Sequence, residues 1–91
     1  MRVRWTVEAR SDLVRLHEFL VHANGEAAAR TVRSLRAAPA RLREYPRLGV
    51  KLGEFHPREI RRLFIGDYEL RYEIRAGTII VLNLWHTRED R

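Results

Sequence analysis

Three strand-like runs, "REIRRLFI", "YELRYEIR" and "TIIVLNLWH", close the chain. The two-residue breaks between them, Gly66-Asp67 and Ala76-Gly77, are pairs suited to tight hairpin turns. This punctuation constrains the fold more than any other feature, because it commits residues 58–86 to an antiparallel three-stranded meander. In the middle run Tyr68, Leu70, Tyr72 and Ile74 share one face, while Glu69, Arg71, Glu73 and Arg75 share the other. The first face is expected on the core and the second in water. A two-residue turn at Gly66-Asp67 pairs Ile65 with Tyr68 and Leu63 with Leu70, and sets Arg61 opposite Tyr72. The last run is apolar on both faces up to Asn83, so its register stays open and it is expected to be a central strand.

Upstream, "RVRW" alternates polar and apolar residues and ends at Thr6, a helix N-cap with Glu8 in the positive first turn. Ala9, Leu13, Leu16 and Leu20 then follow at helical spacing to about Val21. Asn24 caps a second helix carrying Ala28, Val32, Leu35, Pro39 and Leu42 on one stripe. Pro39 cannot donate to the carbonyl of Leu35, which predicts a kink or break there. Residues 46–57, with two prolines and two glycines and no sustained period, read as a long loop. The expectation is a single domain over residues 1–91 of class α+β: an N-terminal strand, a helical hairpin, then the meander, forming one sheet packed on the helices.

Composition narrows the function. Cysteine is absent, which removes disulfide, thiol and thiolate-metal chemistry. No apolar stretch approaches the roughly 20 residues of a membrane span, and "MRVRWTVEAR" has no apolar h-region, so a cytoplasmic protein is expected. Net charge is +6, and Lys51 is the one lysine among 18 basic residues. Arginine presents a planar bidentate fork, which suits phosphates and carboxylates alike. His17, His22, His56 and His86 show no ligand spacing, so no metal is expected. Gly49 and Gly53 precede a strand rather than a helix, so no cofactor is expected either.

What remains is the charged face of the meander and its C-terminal rim. If the chain is a nuclease, the candidate catalytic residues are Arg61, Glu69, Arg71, His86 and Arg88, which supply a base, an acid and cations for a phosphate. Alternating Glu and Arg is also the ordinary pattern of a solvated strand face with cross-strand ion pairs. Trp85, like Trp5, reads as packing rather than as a base-stacking platform.

The order of these elements resembles the RelE/ParE superfamily of toxins from bacterial toxin–antitoxin modules. "WTVEARSDL" is similar to that family's lead into its first helix, "YPRLG" to its loop, and "IRRLFIGDYELRYEI" with "IIVLNLWHTRED" to its terminal meander. The resemblance covers nearly the whole chain and implies a toxin that arrests growth unless a cognate antitoxin masks it. Members that cut messenger RNA on the ribosome place an arginine directly after the aromatic residue opening the middle strand. This chain has Glu69 there, which repels phosphate, and Thr87 where some nucleases carry an aromatic or phenol beside His86.

Both departures favour the ParE branch, whose members poison DNA gyrase by protein contact. Trp85, His86 and Arg88 are then expected to dock the target, and Leu13, Leu16, Leu20, Val32, Leu35 and Arg36 to bind the antitoxin. The alternative is a ribosome-dependent mRNA endonuclease of the RelE kind. Nucleic acid is expected to be met only through the target or the antitoxin complex, and no membrane is expected as a partner.

Overall fold

The computed structural model describes residues 1–89, so Asp90 and Arg91 of the charged C-terminal cluster lie outside the described residues. The elements run β1 (Arg2–Trp5), α1 (Val7–Val21), α2 (Gly25–Ala37), β2 (Val50–Lys51), β3 (Glu59–Ile65), β4 (Tyr68–Arg75) and β5 (Thr78–His86). Short 3-10 turns occupy Ala38–Arg43 and Gly53–Phe55. The expected α+β plan is present, with the strands in one five-stranded sheet ordered β1-β5-β4-β3-β2. β1 lies parallel to β5, and every other pairing is antiparallel.

Local chemistry accounts for the boundaries. Thr6 and Asn24 accept from the amides of Ala9 and Ala27, each relieving an orphan donor at its helix start. α2 stops at Ala37, and Pro39 lies inside the tighter 3-10 turn that follows, so the chain breaks where the proline forbids a further α-helical bond. The β3–β4 register follows the turn: Ile65 faces Tyr68, Leu63 faces Leu70 and Arg61 faces Tyr72.

The register of β5 was open in the sequence, and the reason is a bulge. Arg71 pairs with Asn83 but Tyr72 pairs with Val81, leaving Leu82 as the extra residue. Inward parity therefore switches from Ile79 and Val81 to Leu84, all fully buried. Thr6 closes this irregularity, because its hydroxyl donates to the Leu82 carbonyl (2.9 Å) and its amide to the Val81 carbonyl (3.0 Å). One residue thus caps α1 and fixes it to the bulge.

The core lies between the sheet and the hairpin: Ala9, Leu13, Leu16, Leu35 and Leu42 pack on Leu70, Tyr72, Ile79, Val81 and Leu84. Two expectations need correction. Residues 46–57 are not wholly irregular, since Val50 and Lys51 pair with Arg62 and Arg61 as an edge strand. Nor does the far face of β4 simply meet water. Glu69 and Glu73 are buried there, paired with Arg71 and Arg58, and the Arg71 guanidinium lies 6.0 Å from the Phe55 ring centre.

Candidate functional site

The five candidate catalytic residues are divided among three places. Arg61 faces the helix side, opposite Tyr72, where its guanidinium donates to the Gly49 carbonyl at 2.7 Å and to Glu59 at 2.9 Å. Arg47 also pairs with Glu59. The hydrogen bond from Arg61 holds the Glu59 carboxyl below the usual carboxylate range, burial opposes it, and Arg47 adds to it. Arg61 is therefore part of the brace under the 46–50 loop, and placing it with Glu69 and Arg71 on the charged face is corrected.

Glu69 and Arg71 do share the face away from the helices. Arg71 Nε donates to Glu69 Oε2 at 3.0 Å, and its guanidinium lies 4.9 Å from the Trp85 ring centre and 6.0 Å from that of Phe55. Further along the strand, Arg58 grips Glu73 with two hydrogen bonds, 2.8 and 3.2 Å. Arg58 lowers the Glu73 carboxyl against the opposing effect of burial, and its own pKa is raised by the same bond.

His86 and Arg88 sit at the end of β5, on the helix side. The imidazole meets Tyr68 edge to face, with ring centres 5.1 Å apart, and its Nδ1 accepts from the Arg88 amide at 3.0 Å. Burial first, then the charge of Asp67, raises the Tyr68 phenol. Here α1 supplies Arg15, Phe19 and Leu20, which with Tyr68, His86 and Glu89 line a cleft of about 540 Å³. Phe19 is 73% exposed at its mouth.

Sequence reasoning missed the device that holds this rim. Asp12, buried on α1, accepts from the Leu84 amide at 2.9 Å and pairs with Arg15. Arg15 also donates to the Leu84 carbonyl and ion-pairs with Glu89, whose other oxygen accepts from the His86 amide. The available signal was Asp12 itself, an acid inside the apolar stripe between Ala9 and Leu13.

The expected antitoxin residues also separate. Leu13, Leu16 and Leu35 are 7%, 2% and 0% exposed, so they are core residues first, and reading Leu16 and Leu35 as contact surface is corrected. Leu13 keeps one edge in a groove of about 630 Å³ between the helices, with Trp5, Val14, Val32, Arg10 and Arg36. Leu20 belongs to the rim cleft instead. Among the described residues no group of three or more histidines and acids could hold a metal ion, and no helix is long and apolar enough to cross a membrane.

Comparison with known proteins agrees with this architecture. A search of curated protein sequences found no match. Among solved structures, one described as the chromosomal ParDE toxin–antitoxin system from P. aeruginosa superposes with a TM-score of 0.80. That match covers 94% of this chain and 95% of the other at 20% identity, a likeness of fold. The family model for the ParE toxin of type II toxin–antitoxin systems, parDE, matches residues 3–91, and the chain belongs to that family.

Proposed function

We propose that the protein is a growth-arresting toxin that inhibits DNA gyrase by contact, is held inactive by a cognate antitoxin, and so serves plasmid stabilisation. One observation carries this reading: the residues a nuclease would need do not converge. Cleavage through a 2′-hydroxyl requires base, acid and cation around one phosphate. Here Arg71 is engaged by Glu69, His86 lies across the sheet against Tyr68, and Arg61 is committed to the Gly49 carbonyl. Such a separation suits a docking surface rather than a reaction centre.

The rim supports target docking because Trp85 and His86 project from opposite faces of one strand end, with Arg88 exposed just beyond. A strand end that presents an aromatic ring, an imidazole and an exposed cation together suits contact with a protein target. For the antitoxin, the inter-helix groove combines apolar walls at Trp5, Val14 and Val32 with two cations, Arg10 and Arg36, against one acid, Glu18, a balance that suits an amphipathic helix with acidic residues. The relative's description as a ParDE toxin–antitoxin system supports that partnership. Purified protein is expected to block gyrase supercoiling and to leave messenger RNA intact in arrested cells. Unimpaired supercoiling at large molar excess, or codon-phased cuts in translated messages, would overturn it.

A further inference from the structure

The face of the sheet away from the helices carries chemistry that the toxin reading leaves unused. One row crosses three strands: Arg62 on β3, Arg71 on β4 and Asn83 on β5. The next row is Phe64, Glu69 and Trp85. Each arginine stands over an aromatic ring of that second row, Arg62 at 5.3 Å from Phe64 and Arg71 at 4.9 Å from Trp85.

At the two ends of the first row are two buried polar atoms without a hydrogen-bond partner, Arg62 Nε and Asn83 Oδ1. A buried group left unmatched costs free energy, and a native fold keeps such groups where something else meets them. Among the described residues no ion pair is seen for Arg62, whereas Arg71 and Arg58 on the same face are matched by Glu69 and Glu73. Phe64, 53% exposed, leaves part of its ring open to solvent beside these groups.

From this arrangement we infer that the face opposite the helices binds single-stranded nucleic acid without cleaving it. Both groups are covered in the free chain, so binding turns the two side chains outward: a phosphodiester oxygen then accepts from the Arg62 fork, and a base or sugar donor meets the Asn83 carboxamide, about 10 Å away across two strand spacings. The half-exposed Phe64 ring offers a surface on which an unpaired base can stack. Inorganic phosphate supplies the anion but neither the ring nor the second donor. Glu69, paired to Arg71, fixes that guanidinium in orientation. No hydrolytic step is assigned, because His86 is on the other side of the sheet. The site adjoins Trp85 of the docking rim, but its test reads oligonucleotide binding by Arg62 and Phe64, so this assignment and the gyrase reading can fail separately.

The test is fluorescence anisotropy with labelled oligothymidylate and the matching duplex, on the full chain, over a series of salt concentrations. The single strand is expected to bind tighter than the duplex and to be recovered uncut. Arg62→Gln with Phe64→Ala should weaken binding at least about tenfold and lower the salt slope by about one. Arg62→Lys, which keeps the charge and loses the fork, should show an intermediate loss, guarding against a folding defect in the double variant. Arg33→Gln, an equal charge change on the exposed side of α2, should alter affinity less than about twofold. Equal losses in the Arg33 and Arg62 variants, preference for the duplex, displacement by inorganic phosphate at equal phosphate concentration, or no binding would each overturn the assignment.

Discussion

Arg71 lies across Glu69, with Nε 3.0 Å from Oε2, and the two sides of this pair differ in exposure: the arginine side chain is 30% accessible and the carboxylate side chain 10%. That asymmetry makes the pair unequal under mutation. Arg71→Ala leaves a carboxylate buried without its partner, and should cost about 1–3 kcal/mol. Glu69→Gln leaves a cation that still reaches water and the Trp85 ring, and should cost less than about 1 kcal/mol. Urea denaturation of the two variants compares them directly, and an equal or reversed order would show that Glu69 does not depend on Arg71 for its burial.

The Tyr72 hydroxyl donates to the Pro46 carbonyl at 2.8 Å and accepts from the Gly49 amide at 2.9 Å, tying the 46–49 loop to the sheet. Burial is the main cause raising this phenol above its ordinary pKa, so it remains a donor at neutral pH. Tyr72→Phe strands both loop groups and should destabilise by about 1–3 kcal/mol. At Gly49 an added Cβ would stand 2.6 Å from the Arg62 carbonyl and 2.9 Å from the Tyr72 ring. Backbone on one side and a buried ring on the other cannot give way cheaply, so Gly49→Ala should also cost about 1–3 kcal/mol. Thermal unfolding checks both variants, and a neutral Gly49→Ala would mean that the loop is held less closely than this geometry requires.

Acid sensitivity follows from Glu73 and Glu59, both held below their ordinary value of 4.5, in each case first by an arginine hydrogen bond. A carboxyl whose pKa is lower folded than unfolded adds stability above the unfolded value, and that contribution is lost as pH falls through the folded one. Stability attributable to these groups should therefore be level from neutral down to about pH 5 and decline below it. Glu73→Gln should show a lower plateau, having lost the Arg58 pair, and a shallower acid decline. Urea midpoints against pH measure this, and an unchanged acid slope in the variant would rule out Glu73 as a source.

Much of the scaffold was legible because it is written in local signals. Gly66-Asp67 set the β3–β4 register, Thr6 and Asn24 marked the helix starts, and Pro39 marked the break. Three features depend on contacts distant in sequence and were not legible. The bulge at Leu82 is hidden in a run apolar on both faces and is completed by Thr6, which lies 76 positions away. The covering of Glu73 comes from Arg58, 15 positions away, and Phe55 comes from the loop to lie near Arg71, on a face whose alternation reads as solvated. The cleft at His86 depends on Arg15 and Glu89, joined only by the fold. The position of Arg61, by contrast, was available. Pairing it with Tyr72 already placed it on the helix side, away from the charged face with which it was grouped.

Docking and core roles on the helical hairpin can be separated by two neighbouring residues. Val14 is 58% exposed on the wall of the inter-helix groove, whereas Leu13, beside it in sequence, is 7% exposed and packed in the core. Val14→Arg adds a cation where the amphipathic helix of an antitoxin would lay its apolar side, while touching little of the toxin's own packing. Its unfolding free energy should change by less than about 0.5 kcal/mol, and antitoxin affinity should fall at least about tenfold, because a long charged side chain replaces apolar contact in the seam. Leu13→Ala removes core volume and should lower stability by about 2–5 kcal/mol whether or not an antitoxin is present. Calorimetric titration of the co-expressed, separated partners, alongside urea melts of the free toxin, distinguishes the two effects. An antitoxin that binds Val14→Arg as tightly as the parent chain would move the interface off this groove, leaving the free edge of β1 as the surface to probe next.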